Sequence, residues 1–320
     1  MREIPVIDVS DLDKGSIQLH DDILRAYSGA GFAYIAGHGV PQDLVAGVFE
    51  ASRRFHALPN ADKMAVALDR NHRGFIPIDT STDRTSTLAD VTKPNQSESF
   101  MMMRDAGPGD PDVQAGVFLA GANQWPELDG FREAVTAYHD ALTAFSRRMV
   151  DAMLHAAGAA PDEAAPVFER PTTWLRLLHY PPCASASDDV YGSAPHTDFG
   201  AITVLAQDQV GGLQVMTPDG DWIDAPPIPG TFVLNVGDML HRMTHGALKS
   251  TPHRVINRTG RERYSCPFFF DPSAAQTVRS LDSVPERLRR KTFEPIHFGD
   301  FLRSELGASY DQHSDLQTAT

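Results

Sequence analysis

The chain is poor in cysteine, with two in 320 residues, Cys183 and Cys266. That excludes a disulfide framework and fits a reducing compartment. It is also poor in basic residues: 28 Lys and Arg stand against 42 Asp and Glu, for a net charge of −14 at pH 7. Nucleic-acid and anionic-membrane surfaces need basic patches, so neither partner is expected. No apolar run is long enough to span a bilayer, and the opening M-R-E-I-P-V-I-D lacks the apolar core of a signal peptide. A soluble, cytoplasmic protein is the expectation. Internal repeats and low-complexity tracts are missing as well. The chain does have length, enough for a large core in one or two domains.

The apolar pattern divides the chain near residue 171. Before it, residues 4–9 and 31–39 read as short strands. Helices are expected from Ile17 to Tyr27 and from Asp43 to before Pro59. Pro126 to Gly158 carries the most regular stripe, in which Phe131, Val135, Tyr138, Leu142 and Phe145 step by three or four. Its histidines, His139 and His155, fall on exposed or edge positions. Residues 69–124 show no period and are rich in Asp, Thr, Ser, Gly and Pro, which predicts a lid-like loop. Arg73 and Arg104 within it read as solvated surface residues, with contact to an acidic substrate as the alternative. After Pro171, short β-rich runs recur at 173–180, 201–206, 213–216, 230–236, 253–257 and 263–270. That spacing is the mark of a sandwich or barrel of antiparallel strands. Residues 280–306 hold one or two short helices, and 308–320 form a polar tail.

The chemistry concentrates between Ala194 and Phe270. In A-P-H-T-D-F-G, His196 and Asp198 are two apart, so on a strand both point to one side. His253, in S-T-P-H-R-V, must be brought to them by the fold. Two imidazoles and one carboxylate leave metal positions open, which suits non-haem Fe(II) oxygen chemistry. A bare H-x-D is weak by itself, and His20-Asp21-Asp22, on a surface helix, repeats it as a decoy. Arg263 and Ser265 are again two apart; a buried guanidinium needs a partner, and a dicarboxylate offers one to its planar fork.

Around these residues the blocks G-G-L-Q-V (211–215), Trp222, P-G-T-F-V-L-N-V-G-D (229–238), S-T-P-H-R-V (250–255) and R-Y-S (263–265) follow in order. In this series the chain resembles the 2-oxoglutarate/Fe(II) oxygenase superfamily, in its isopenicillin-N-synthase-like branch, from residue 4 onward. The resemblance implies an α+β, mainly β fold: a double-stranded β-helix (jelly roll) core with N-terminal helices packed on one sheet. One integrated domain would then comprise a strand and helix region at 1–170 with the loop 69–124, a core at 171–272, and C-terminal helices and tail at 273–320. It implies His196, Asp198 and His253 as Fe(II) ligands and catalytic centre. Arg263 and Ser265 would hold 2-oxoglutarate, with a contact from Tyr180. Many relatives carry N-Y-Y-P where this chain has Leu178-His179-Tyr180-Pro181, so the co-substrate's surroundings are expected to differ.

The implied reaction spends O2 and 2-oxoglutarate to oxidise an unactivated C–H bond of a small molecule, releasing succinate and CO2. Hydroxylation is the default, with desaturation or ring closure open. Two rivals remain at this point. One is an oxidase like isopenicillin N synthase, which uses no 2-oxoglutarate; the other is a non-catalytic metal-binding jelly roll. Phe100, Met102, Phe199, His241, Phe268 and Phe270 are candidates for the substrate pocket, and His245 stands where related chains often carry Asn. The oligomeric state is left open.

Overall fold

The computed structural model describes residues 3–82, 88, 91, 93–182 and 190–310. Cys183 and the polar tail beyond residue 310 lie outside them. The runs after Pro171 are strands, as their composition and period of two require. Those used below are β5 (Thr172–Tyr180), β6 (Ser193–His196), β7 (Ile202–Gln207), β8 (Leu213–Met216), β9 (Trp222–Asp224), β10 (Phe232–Val236), β11 (His253–Val255) and β12 (Arg263–Asp271). They are preceded by β1 (Val6–Asp8), β2 (Phe32–Ala36), β3 (Gly74–Ile76) and β4 (Glu98–Met103).

These strands form two sheets. The larger has the order β1-β2-β10-β7-β12-β5-β4-β3, the smaller β6-β11-β8-β9. Strands after residue 171 that are distant in sequence pair across the fold, β12 with β5 and β7, and β11 with β6. This is the jelly roll, with strands from the first third of the chain extending both edges of its larger sheet.

Helices α1 (Ile17–Gly29) and α2 (Gln42–His56) come first; α3 (Asn60–Met64), α4 (Pro111–Gln114) and α6 (Pro161–Ala164) are short. The long α5 (Phe131–Ala156) lays its stripe on the outer face of the large sheet beside α2, so that Phe131, Val135, Tyr138 and Leu142 are buried. Gly158 follows it at φ 72°, the left-handed residue that ends a helix. Helix α7 (Asp238–Met243) follows β10, and α8 (Phe298–Ser309) closes the described chain.

The outer face of the sheet and the helices share one large core; a smaller one, with Phe32, Tyr34, Leu178, Tyr180 and Val233, fills the space inside the roll. No helix among the described residues is long and apolar enough to cross a membrane.

Three expectations need correction. The stretch 69–124 is not irregular throughout, because its islands R-G-F and E-S-F-M-M-M are β3 and β4, paired with each other and with β5. Methionines and Ser-Phe in a row hide the period of two, since both faces of β4 are buried. Arg73 is not solvated: its guanidinium is buried, donating to the carbonyls of Asn71, Leu119 and Arg104 and to Asn123. Arg104 is partly exposed and pairs with Asp110 and Asp112. Together they tie down the segment after β4. His139 is buried too, its Nε2 bonded to Thr173 Oγ1 at 2.9 Å, whereas His155 is exposed as expected.

Candidate active site

The pairing of β6 with β11 sets His196 directly opposite His253. Their rings lie 4.3 Å apart between centroids, and Phe32 packs edge-on against His253. Asp198 sits just past the end of β6, with its Oδ1 3.7 Å from Nε2 of each histidine. One ligand atom from each of the three lies within 4.8 Å of the others.

The surrounding bonds aim these atoms. Nδ1 of His196 faces the carbonyl of Ala194 at 2.7 Å, and Nδ1 of His253 that of Thr251 at 3.3 Å. A carbonyl only accepts, so Nδ1 carries the hydrogen and Nε2 keeps its lone pair. The other Asp198 oxygen, Oδ2, accepts from Asn235 Nδ2 at 2.7 Å and from Thr203 Oγ1, which leaves Oδ1 for the centre. Burial alone would push the Asp198 carboxyl up, but the two imidazoles and these two donors outweigh it and hold it below the usual range. A carboxylate and two imidazoles that turn their Nε2 atoms to one point make the donor set a divalent transition metal takes.

The sequence blocks around the triad form its support. Asp238, at the end of N-V-G-D, accepts from Ser250 at 2.6 Å and from Thr197 at 3.2 Å. It thereby joins the two ligand-bearing segments and turns Thr197 away from the triad. At Gly200 there is no room for a side chain, because a Cβ would lie 1.4 Å from Asp271 Oδ1. Asp271 in turn accepts from Ala201 N at 3.0 Å and from Trp174 Nε1 at 2.7 Å. Burial pushes its carboxyl up to about 8 against those bonds.

On the inner face of the large sheet, Arg263 pairs with Tyr180 and Ser265 with Leu178. Arg263 is 0 % exposed. Its Nε donates to Gly211 O at 2.6 Å and its Nη1 to Ser265 Oγ at 3.2 Å, while the guanidinium lies 4.5 Å over the Tyr180 ring. Nη2 is buried without a hydrogen-bond partner among the described residues. Both glycines of the G-G pair serve this site: Gly211 supplies that carbonyl, and Gly212, at φ 98°, approaches Ile256 O too closely for any Cβ. A cavity of about 80 Å³ is lined by the triad, Arg263 and Ser265. A buried, partnerless donor beside a Ser hydroxyl, in a cavity shared with a metal-type donor set, fits a carboxylate that also reaches the metal. Leu178 and Tyr180 line it as well, with apolar surface where an Asn would bring an amide. His179 points to the opposite face, where it bonds Glu98 Oε1 at 2.9 Å and stacks on Tyr264.

A second cavity of about 290 Å³ also touches His196 and Asp198. Of the residues expected to line it, only Phe199 does. Phe268 and Phe270 face the helices, as do Phe100, which packs on Phe55 and Phe131, and Met102. In their place stand Phe269 and Met101, one residue along. His241 bonds Leu248 O and packs on Phe293, outside the cavity lining. His245 is buried at φ 53°, bonded to Thr292 and Leu281 O. Asparagine tolerates that left-handed conformation well, so the position reflects backbone geometry rather than substrate. Trp174, Arg176, Phe301 and Tyr310 line the cavity and went unnoticed in the sequence. For Trp174 and Arg176 the signal was present, since they share the parity of Tyr180 on β5.

Residues 171–272 match the family model described as 2OG-Fe(II) oxygenase superfamily. Residues 4–128 match the one described as non-haem dioxygenase in morphine synthesis N-terminal. The chain is 34% identical over 289 residues to a 2-oxoglutarate-Fe(II) type oxidoreductase of Emericella nidulans, covering 88% of this chain and 81% of that one. It is 37% identical over 284 residues to a 2-oxoglutarate-dependent dioxygenase of Didymella fabae, covering 83% of each. Among solved structures, a full-length Neurospora crassa protein in complex with alpha-KG and thymine superimposes with a TM-score of 0.80 at 28% identity, covering 99% of this chain and 97% of that one.

Proposed function

The chain belongs to the 2-oxoglutarate/Fe(II) oxygenase superfamily, and on that footing we propose that His196, Asp198 and His253 hold the iron while Arg263 and Ser265 hold 2-oxoglutarate. The protein is an enzyme that oxidises a small molecule with Fe(II), 2-oxoglutarate and O2, with succinate and CO2 as co-products. The rival readings, an oxidase without 2-oxoglutarate and a non-catalytic metal-binding protein, are not favoured.

The observation that carries the assignment is the aim of the three ligands. Asp198 Oδ1 stands 3.7 Å from both Nε2 atoms while every other polar atom of the triad is engaged elsewhere. Iron bound there supplies the oxidising chemistry, drawing on O2 and the co-substrate. The chain's residues do the rest. The Nδ1–H bonds to Ala194 and Thr251 hold each imidazole in one tautomer. Asn235 and Thr203 favour the ionised form of Asp198 and occupy its Oδ2, which would leave Oδ1 for the metal. Arg263, whose Nη2 is unengaged, would hold the far carboxylate with Ser265 beside it, and Tyr180 supports the guanidinium from its ring face. The apolar walls at Leu178, Leu205 and Val255 keep water from that contact.

The chain folds as one unit on this reading, because β1 to β4 belong to the same sheet as β5, β7, β10 and β12. The acidic balance and low cysteine content support a cytoplasmic enzyme without nucleic-acid or membrane partners. The test is metal binding with turnover. Wild-type protein should bind Fe(II) and form succinate from 2-oxoglutarate, and His253→Ala should lose iron while its circular dichroism is unchanged. Wild-type iron affinity in His253→Ala would remove the assignment.

A further inference from the structure

The cavity of about 290 Å³ contains one cation among its described lining residues, Arg176, and that side chain is incompletely satisfied. Its Nε donates to Ser99 Oγ at 2.9 Å and its Nη1 to Tyr310 Oη at 3.3 Å, both neutral acceptors. Among the described residues Nη2 has no hydrogen-bond partner, and no carboxylate pairs with the guanidinium. This is unusual in a chain with 14 surplus negative charges. Four acids line the same cavity: Asp198 belongs to the triad, Asp271 accepts from Trp174 and Ala201, Asp238 accepts from Ser250 and Thr197, and no ion pair joins Glu305 to Arg176. A guanidinium lodged in a cavity with no carboxylate bonded to it is poised for an anion that is not part of the chain.

Position decides whose anion it is. Arg176 lines both cavities, two residues before Leu178 on the inner face of β5. Its head, however, is tied to Tyr310, which follows α8 and lines only the larger cavity. The carboxylate of 2-oxoglutarate already has a buried, partnerless donor in Arg263. The rest of the larger cavity is aromatic: Trp174, Phe269, Phe199 and Phe301 line it, the last two edge-to-face at 5.9 Å. Its volume is at the small end for ligand pockets, which limits the occupant to one or two rings. Building on the assignment of the iron and 2-oxoglutarate sites, we propose that Arg176 anchors a carboxylate of the substrate, and that this substrate is a small aromatic acid. The ring lies among the aromatic side chains, and the bond to Tyr310, longer than a usual N–H···O contact, gives way to the charge-assisted one.

The test uses benzoate, phenylacetate and 2-naphthoate, each beside its methyl ester and primary amide. Binding is measured by calorimetry on protein loaded with Zn(II) and 2-oxoglutarate, which cannot turn over. Wild type should bind at least one acid about tenfold or more tightly than its ester and amide. Arg176→Gln should erase that preference, and Arg176→Lys should keep part of it. The affinity for 2-oxoglutarate should stay within about threefold of wild type in both variants, since Arg263 is intact. Three results would overturn the proposal: equal binding of acids and esters by wild type, an unchanged preference in Arg176→Gln, or a preference retained while 2-oxoglutarate affinity collapses. If Arg176→Gln does not fold, the acid-to-ester comparison in wild type and Arg176→Lys decides. Wild-type succinate formation from 2-oxoglutarate, measured separately, shows whether the assignment beneath the proposal stands or falls.

Discussion

Replacing Arg263 by alanine should remove most of the stabilisation that 2-oxoglutarate confers while leaving the iron site whole. Arg263 is fully buried, two of its three nitrogens are bonded to Gly211 and Ser265, and the third, Nη2, faces no partner. A carboxylate that meets this guanidinium forms a charge-assisted bond out of water, and removing one partner of such a bond costs roughly 2–5 kcal/mol. At about 1.4 kcal/mol per decade, the dissociation constant should rise between about 30-fold and 4,000-fold. The effect can be read without turnover. With ligand at a hundredfold excess over the wild-type constant, wild type gains about 2.7 kcal/mol, a rise of roughly 5 °C in Tm for a chain of this size. At the same concentration the variant sits at no more than about three times its own constant and gains less than about 1 kcal/mol. Comparing each protein with and without ligand cancels whatever the substitution does to the fold itself. Melting curves of the Zn(II)-loaded proteins, with Fe(II) binding measured in parallel, make the assay. Arg263→Lys should fall between, since an ammonium keeps the charge but not the fork. An equal rise in Tm for wild type and Arg263→Ala would refute the reasoning.

Three further outcomes are expected. Gly200→Ala should destabilise the fold by about 1–3 kcal/mol and weaken metal binding, because its Cβ must displace the Asp271 carboxyl that is tied to Trp174 and Ala201; urea unfolding and metal titration read both, and a wild-type profile would contradict it. Asn235→Ala should lower Fe(II) affinity about 10- to 100-fold by freeing Asp198 Oδ2, with little change in 2-oxoglutarate affinity once metal is saturating; a loss confined to 2-oxoglutarate would speak against it. His56 is buried and, chiefly through desolvation, its pKa is lowered to about 3, so it stays neutral in the fold while the unfolded chain takes up a proton near pH 6.5. Its burial therefore imposes no charge penalty above pH 6.5, and stability falls by about 1.4 kcal/mol per pH unit as pH drops from there toward 3. His56→Leu should flatten this slope in urea titrations between pH 7 and 4.5, and parallel curves for the two proteins would exclude it.

Part of the site was legible in the residues because strand parity is local: Arg263 and Ser265 are two apart within β12 and share its inner face. His196 and Asp198 are also two apart, but β6 ends at His196, so the chain just past the strand, rather than its parity, brings Asp198 Oδ1 to both histidines. The same parity carried information that went unused. With Arg263 and Ser265 inward, Phe269 had to be inward as well, and Phe268 and Phe270 outward against the helices. On β4 even that signal is absent, since both faces are buried and nothing in E-S-F-M-M-M says which side meets the cavity. The register with β5, Met101 beside Arg176, decides it.

Residue order alone was enough for the elements and the chemistry they carry: the amphipathic stripe of α5, the β-rich runs after Pro171, and a donor set in ordered blocks. Each rests on relations between residues close in the chain. Pairings between residues far apart had to wait for the folded chain. Arg73 reads as a surface residue until the segment through Asn123 wraps around it and offers carbonyls to its guanidinium. Phe301 and Tyr310 bear no local mark of a cavity, and they line one because the chain returns α8 and the residue after it to β5, where Tyr310 meets Arg176 across 134 positions. Local propensity acts over a few residues, whereas such contacts form only once the whole roll has closed, when burial and the need to satisfy each polar group select one partner out of many.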